Sequence, residues 1–250
     1  MSIISLVIVG LIGVVGEIVD SSLGMMYGTL LSPILVLLGY SPKLVVPSIL
    51  LSQAIGGGVA AFRHNRFRNA NFRGLTRDLK ISLAIIIPGL LACILGAFVG
   101  QKISAVALRY YIGILVILMG LLCVRPIHYK FSWRRIWGIG ALAGFNKALS
   151  GGGFGPVTAT GKIVSGVDPK VSVGTTTLAE VPICLLSFTL WIILGGSIAW
   201  EFPLVLCIVA AIGGFIGPII TLKINTKVLR MVVGMLALVS GILVVAGFKA

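Results

Sequence analysis

Residues 145–158 read FNKALSGGGFGPVT, and a related glycine-broken apolar stretch, VDSSLGMMYG, stands 127 positions earlier at residues 19–28. An ungapped alignment of residues 20–53 with the later copy gives seven identities. They are Gly24, Gly28, Gly39, Pro42, Lys43, Val46 and Leu51, which match Gly151, Gly155, Gly166, Pro169, Lys170, Val173 and Leu178. Turn formers and helix breakers dominate this set. A duplicated, interrupted apolar hairpin is typical of transporters with internal symmetry.

The composition identifies the solvent of the chain as a lipid bilayer. Apolar residues make up 58% of the sequence, charged residues 10%, and the mean hydropathy is +1.15. Continuous apolar stretches of near-membrane length predict helices, whereas a β-barrel would show short alternating segments. We therefore predict an all-α polytopic membrane protein. The stretches are 3–19, 23–38, 44–62, 81–100, 109–124, 136–149, 154–165, 171–195, 202–222 and 231–247.

The formal net charge of +14 is concentrated in three loops, at residues 63–80, 125–135 and 223–230. Loops rich in Lys and Arg remain on the cytoplasmic side of a membrane, so we predict that these three are cytoplasmic. This distribution orients a membrane protein and does not indicate a nucleic-acid partner. The predicted location is the cell membrane.

The loop charges also predict how the two copies are oriented. Residues 44–62 end in a basic loop, whereas their counterpart, 171–195, ends in a loop that carries Glu201. We expect two inverted membrane repeats, residues 1–125 and 126–250, with both termini outside the cytoplasm. Between about six and ten crossings are compatible with the pattern, because the interrupted hairpins either cross twice or enter and return. The first helix lacks the marks of a cleavable signal.

Five ionisable residues fall within apolar stretches, where charge is costly and usually functional: Glu17, Asp20, Lys147, Lys162 and Glu180. Asp20 and Lys147 are equivalent in the repeat. They are expected to form either an ion pair that opens during transport or a static pair that ties the repeats together. Glu17 is expected near a helix end, in reach of water.

The glycine run 151–153 predicts an interruption, with one helix ending near Ser150 and another beginning near Phe154. Free N–H groups at the start of a helix favour an anion. The alternative is that these glycines serve close helix packing, the reading we prefer for the glycines outside the motif. The predicted substrate-binding residues are Ser21, Ser22, Leu23, Gly24, Tyr27 and Gly28 in the first copy, and Lys147, Ser150, Gly151, Gly152, Gly153, Phe154, Gly155 and Thr158 in the second.

A second polar cluster lies on the third helix of each copy, where Gln53 is equivalent to Glu180. Thr176 and Thr177 share a helix face with Glu180. A buried carboxyl group can exchange a proton, so Glu180 is the leading candidate for proton coupling, with Asp20, Glu17 and Gln53 as further members.

No cofactor or metal is expected, because the sequence lacks the clustered carboxylates, histidines or thiolates of a cation site. Cys93, Cys123, Cys184 and Cys207 stand apart in apolar segments and are interpreted as small core residues.

Four motifs resemble the sulfite exporter TauE/SafE family, also called the toluene sulfonate uptake permease family, over nearly the whole chain. They are VDSSLGMMYG, HNRFRNANF at 64–72, GGGFGPVT at 151–158 and TTTLAEV at 175–181. The resemblance implies a permease for sulfite, sulfonates or related sulfur-containing anions, acting by secondary transport. Relatives often have an acidic residue in both third helices, whereas the first copy here has Gln53. His64 is interpreted as a surface residue of the basic loop.

Two other functions are compatible with parts of the pattern. A passive anion channel would use the same helix ends without a coupling group. An intramembrane serine hydrolase would need a base beside its serine, and His64 and His128 both fall in predicted loops, which leaves Lys147 with Ser150. We therefore predict a transporter rather than an enzyme, with a small sulfur-containing anion, protons and the bilayer as its partners. The sequence leaves open whether it works as a homodimer.

Overall fold

The computed structural model describes residues 3–25, 27–37, 40–124, 129–195, 198 and 200–246, and all regular structure in these ranges is helical, as predicted. The helices are α1 Ile3–Leu23, α2 Tyr27–Leu37, α3 Pro42–Arg66, α4 Arg77–Gly100, α5 Ala105–Val124, α6 Trp133–Ser150, a π-helical turn Pro156–Thr160, α7 Gly161–Val164, α8 Pro169–Ile193, α9 Glu201–Lys223 and α10 Thr226–Ala246. Gly39, His128 and the side chain of Cys123 lie outside the described residues.

Both predicted interruptions are present and have the same backbone conformation. α6 ends at Ser150, and Gly151 follows at φ +74°, with its N–H bonded to the Lys147 carbonyl at 2.8 Å. α1 ends at Leu23, and Gly24 follows at φ +78°, with its N–H bonded to the Asp20 carbonyl. Glycine adopts this left-handed conformation without steric cost. Helical structure resumes at Phe154.

The helix after each interrupted hairpin begins in the same way. Ser41 caps α3 and Asp168 caps α8, each accepting a hydrogen bond from a backbone N–H two residues later. Proline follows each cap at the first helical position, where its missing N–H is not needed. A proline at the first helical position therefore suits both helices, which accounts for its recurrence at equivalent positions of the two copies.

The helix that follows each interruption is too short to cross a membrane. α2 has 11 residues, which correspond to about 16 Å at 1.5 Å per residue, against a hydrocarbon thickness of about 30 Å. Within the described residues, five helices are long and apolar enough to cross: Lys43–Arg66, Arg77–Gly100, Pro169–Ile193, Glu201–Lys223 and Lys227–Ala246. A shorter apolar segment, Tyr110–Leu122, lies in α5.

The helices pack in a reciprocal pattern. α1 packs on α9 while α6 packs on α4, and α3 packs on α9 while α8 packs on α4. α3 also packs on α8, and α5 on α10. Exchanging each helix for the one at the same place in the other half converts these pairs into one another. The centre of this arrangement is the contact between α3 and α8.

Small residues allow the helices to approach closely, as expected for the glycines outside the interruptions. A Cβ atom on Gly144 would fall 2.5 Å from Gly89 Cα, and one on Gly217 would fall 2.6 Å from Ser21 Cβ. Gly113 and Gly120 on α5 meet the backbone of α10 in the same way. Outside this interior, large apolar side chains are exposed, as for a surface that faces lipid; examples are Leu91, Ile208 and Met231.

Candidate functional site

The two interruptions contact each other at the centre of the protein. A Cβ atom on Gly28 would fall on the Gly151 carbonyl oxygen, and one on Gly155 would fall on the Gly24 carbonyl oxygen. These contacts are equivalent, because Gly24 and Gly151 are partners in the repeat, as are Gly28 and Gly155. Backbone therefore lies directly against backbone where the two halves meet.

Hydrogen bonds join the same two segments. The N–H of Gly153 donates to Thr29 Oγ1 at 3.1 Å, and Ser32 Oγ donates to the Ser150 carbonyl at 3.0 Å. Thr29 and Ser32 lie on α2 of the first half. The start of the short helix in one half is thus bound to the interruption of the other.

Several N–H groups that the sequence offered to an anion have partners in this conformation. Gly151 N–H bonds to Lys147, Gly152 N–H to Ser150 Oγ at 3.1 Å, and Gly153 N–H to α2. The N–H of Tyr27 donates to Asp20 Oδ1 at 3.0 Å. An anion bound here would replace some of these bonds or use other donors.

The hydroxyl groups near the interruptions are bound to their own helices. Ser22 Oγ donates to the Val19 carbonyl at 3.0 Å, Ser150 Oγ to the Asn146 carbonyl at 3.1 Å, and Thr158 Oγ1 to the Phe154 carbonyl at 2.8 Å. Leu23 and Phe154 are buried apolar side chains.

Lys147 lies at the centre of the polar cluster, and its side chain is 1% exposed. Its Nζ is 2.6 Å from Glu180 Oε1 and also donates to Gln53 Oε1. Gln53 Nε2 donates to Glu180 Oε1 at 3.1 Å, so these equivalent residues of α3 and α8 bond to each other. The thiol of Cys184, also on α8, lies beside the same ammonium group, so each of its three donors faces a partner.

The predicted ion pair between Asp20 and Lys147 is wrong for this conformation. In the described part of the chain, Lys147 pairs with Glu180. Asp20 instead uses Oδ1 to cap the N-terminus of α2. The reason is positional, because Gln53 and Glu180 meet where α3 packs on α8, close to Lys147 of α6, whereas Asp20 of α1 is held by the N-terminus of α2.

Glu17 is also placed differently from the prediction that it reaches water. It is 1% exposed, six residues before the end of α1, and its Oε1 accepts a hydrogen bond from Ser21 Oγ at 2.7 Å. A Cβ atom on Gly56 would fall 2.7 Å from Glu17 Oε1, and one on Gly213 would fall 2.6 Å from its Cβ. Glycines on α3 and α9 therefore enclose this carboxyl group.

His64 is buried, with 0% exposure, so its interpretation as a surface residue is wrong. Its Nδ1 accepts from Asn69 Nδ2 at 3.1 Å, and its Nε2 therefore carries the proton and donates to the Ser21 carbonyl at 2.9 Å. Asn69 Nδ2 also donates to the Pro218 carbonyl at 2.9 Å. The last turn of α3 therefore packs against the end of α1 at the first interruption. Because His64 lies among arginines in the sequence, this buried contact could not be predicted from its neighbours.

The equivalent contact in the second half is made by Trp191, 127 residues after His64. Its Nε1 donates to the Ala148 carbonyl at 2.7 Å, and Ala148 is the counterpart of Ser21. In each half a buried ring N–H thus binds a carbonyl in the last turn of the interrupted helix, where helices leave carbonyls unpaired.

Two polar groups near the second interruption were not singled out as site residues. Tyr111 OH donates to Asn146 Oδ1 at 2.9 Å, while Asn146 Nδ2 is buried without a partner among the described residues. A Cβ atom on Gly153 would lie 3.3 Å from Asn146 Cβ, so this amide adjoins the interruption. In the sequence, only the position of Asn146 directly before Lys147 indicated that this amide would lie near the site.

The threonines of α8 and the cysteines have structural contacts. Thr175 Oγ1 accepts from the buried Lys162 Nζ at 2.7 Å, and Thr176 and Thr177 bond to carbonyls of their own helix. Cys93 and Cys184 are free thiols buried in the apolar core, as predicted.

Membrane-length helices that surround paired interruptions and buried ionisable groups define the class of polytopic membrane transport proteins. Residues 9–244 match the family described as Sulfite exporter TauE/SafE, and the chain belongs to this family. It is 29% identical over 209 residues to "Probable membrane transporter protein YtnM" of Bacillus subtilis (strain 168). The alignment covers 78% of this chain and 66% of the relative, so the chain spans just under two thirds of that protein's length.

Proposed function

We propose that this protein is a secondary transporter that moves sulfite, an organosulfonate or a related sulfur-containing anion across the cell membrane by alternating access. The family and the transporter name of the relative support transport of such anions in general. The site supports an anion in particular, because its one ammonium group lies beside backbone N–H groups.

We further propose that residues 1–125 and 126–250 are inverted repeats. The reciprocal packing of α1 on α9 and α6 on α4 supports this, as do the equivalent glycine contacts. Opposite loop charge after α3 and α8 supports the inversion, with the basic loops cytoplasmic and both termini outside. Repeats that rock against each other about a fixed central site are the usual basis of alternating access.

The observation that carries the proposal is the buried Lys147 ammonium group beside the meeting interruptions. A buried charge requires a partner, and Lys147 has Glu180 and Gln53 in this conformation. We propose that the anion contacts the Lys147 ammonium group in place of one of its present partners, supported by donors of residues 151–155 and 23–28. Asn146 Nδ2, buried and unpaired in the described structure, is an additional donor for the same anion.

Coupling to protons is assigned to the carboxyl groups of this cluster: Glu17, Asp20 and Glu180, with Gln53 joining α3 to α8. An anion that enters a site already holding these carboxyl groups adds negative charge in a medium of low dielectric constant. Uptake of a proton would offset that charge.

The test is uptake of labelled sulfite and a short alkyl sulfonate into proteoliposomes, with and without a pH gradient. Lys147→Ala should lower uptake roughly tenfold to hundredfold, because a hydrogen bond to a charged group contributes about 1.5 to 3 kcal/mol. The matched control is Lys227→Ala, which removes an exposed lysine at the start of α10. Normal uptake by Lys147→Ala would overturn the proposed site.

A passive channel is separated from a transporter by preloading the vesicles. Unlabelled anion inside should accelerate entry of labelled anion through a transporter, whose site must return across the membrane, but not through a channel. Absence of flux for both anions, with folding confirmed by circular dichroism, would contradict the proposed substrate class.

A further inference from the structure

The polar cluster contains more carboxyl groups than its single ammonium group can balance. Glu17, Asp20 and Glu180 are all buried, and Lys147 is paired with Glu180. Asp20 accepts an N–H at the first residue of α2, where the positive end of the helix favours a negative charge. Glu17 is left with the Ser21 hydroxyl.

The second oxygen of Glu17 distinguishes it from the other two acids. Oε2 is buried and has no hydrogen-bond partner in the part of the chain that the structure describes. No ion pair to Glu17 is present there either. An ionised carboxylate without a partner is among the most costly groups to bury, whereas the neutral acid is far less so.

Glu17 is closely packed where it faces α3 and α9. Gly56 and Gly213 leave room for its carboxyl group and stem, and Ala210 adjoins Gly56. A metal cation such as Na⁺ or Ca²⁺ would need several ligands, and among the described residues no group of three or more His, Cys, Asp or Glu side chains could hold one. A proton needs no such shell.

The equivalent position in the second half shows what this place in the fold requires. It is occupied by Gly144, which packs directly on the backbone of Gly89 of α4. Close packing of the interrupted helix therefore needs no carboxyl group. The acid at this place in the first half is an addition to the packing and not a condition of it.

We propose that Glu17 is the site of the coupled proton, held as the neutral acid when the anion is absent and exchanged with water during the transport cycle. Glu180 stays paired with Lys147, and Asp20 keeps its hydrogen bond from the Tyr27 N–H at the start of α2. This rests on the proposed function and assigns its coupling step to one residue. The proton leaves Glu17 Oε2 as the group ionises and returns to it when the site is exposed to the other side.

The titratable groups around Glu17 set when that exchange takes place. They are Asp20 on α1, Tyr27 on α2, Lys147 on α6 and Glu180 on α8, with Cys207 of α9 beside Tyr27. From α3, His64 reaches the same helix at the Ser21 carbonyl. The neighbouring carboxylates disfavour a second negative charge, and Lys147 favours it. Movement of Lys147 towards Glu17 or away from it would therefore drive release or uptake of the proton.

The first measurement is infrared spectroscopy of the full-length protein in detergent or lipid. The chain has six carboxyl side chains in all, so the C=O band of a protonated acid can be assigned by substitution. Wild type at neutral pH should show this band, Glu17→Gln should lose the part of it that Glu17 contributes, and the exposed control Glu201→Gln should keep it in full. Absence of the band from wild type, or a band of unchanged intensity in Glu17→Gln, would overturn the assignment without any transport assay.

The second measurement is transport of sulfite by Glu17→Gln in proteoliposomes. The variant should still exchange internal for external anion, but its uptake rates with and without a pH gradient should become equal. Glu201→Gln should respond to the gradient as wild type does. If wild type transports no sulfur anion, the proposed function fails while the infrared result stands. If Glu17→Gln keeps the full gradient response, only the proton site fails.

Discussion

The interruptions of the two halves have the same left-handed glycine but differ in the charge of their side chains. Each has a left-handed glycine after the broken helix and a ring N–H bound to a carbonyl of its last turn. At equivalent positions, however, the first has Asp20 where the second has Lys147, and Glu17 where the second has Gly144. The same glycine conformation therefore accommodates different side chains in the two halves. The difference places a lysine at the second interruption and two acids in the corresponding part of the first half.

The largest effect should come from breaking the charge of the second half. Lys147→Ala leaves Glu180 buried without a counter-charge, a change that destabilises a protein by about 3 to 5 kcal/mol. The thermal midpoint in detergent should fall accordingly. Combining Lys147→Met with Glu180→Leu should restore most of the stability but not the transport. A single variant as stable as wild type would show that the ion pair is not the centre of the cluster.

The next test asks whether the glycine contacts of the two halves are equivalent. Gly28→Ala and Gly155→Ala each place a methyl group on backbone of the opposite half. Overpacking of this kind costs about 1 to 3 kcal/mol. Both variants should lose stability to a similar degree, whereas Gly138→Ala, with open space around it, should not. Unequal losses of stability would indicate that the backbone of one interruption adjusts to the added methyl group more easily than the other.

The ring donors allow a more exact comparison. His64→Phe and Trp191→Phe keep a ring but remove the N–H that binds the last turn of α1 or α6. Each leaves a buried carbonyl unpaired, at a cost of about 1 to 3 kcal/mol. His64→Phe should cost more, because it also deprives Asn69 of a hydrogen-bond acceptor. Chemical denaturation of both variants in detergent would measure the difference, and a stable His64→Phe would contradict the assigned role.

The smallest effect is expected at the acid of the first interruption. Asp20→Asn keeps an oxygen for the Tyr27 N–H, so its stability should change by less than about 1 kcal/mol, whereas Asp20→Ala should lose about that amount. Thermal unfolding would distinguish the two. If Asp20→Asn destabilises as strongly as Lys147→Ala, the charge of Asp20 is engaged by a partner and not only by α2.

Much of the fold could be predicted from the sequence. Continuous apolar stretches predict helices, and the glycines at 24 and 151–153 predict where α1 and α6 end. The importance of Lys147 and Glu180 could be predicted as well, because ionisable residues inside a membrane are rare. Their pairing could not. Of the two equivalent pairs, Gln53 and Glu180 bond to each other, whereas Asp20 and Lys147 form no ion pair in the described part of the chain.

The sequence alone determined the solvent, the helical class, the duplicated interruption and the family motifs, because these depend on local composition and on residues that stop helices. The tertiary structure decided which polar groups are buried and which of them meet. His64 lies beside arginines in the sequence and Glu17 lies near a helix end, yet both are enclosed. Their burial depends on close packing between helices that are distant in the chain, such as α1 against α9, and no local pattern records that contact.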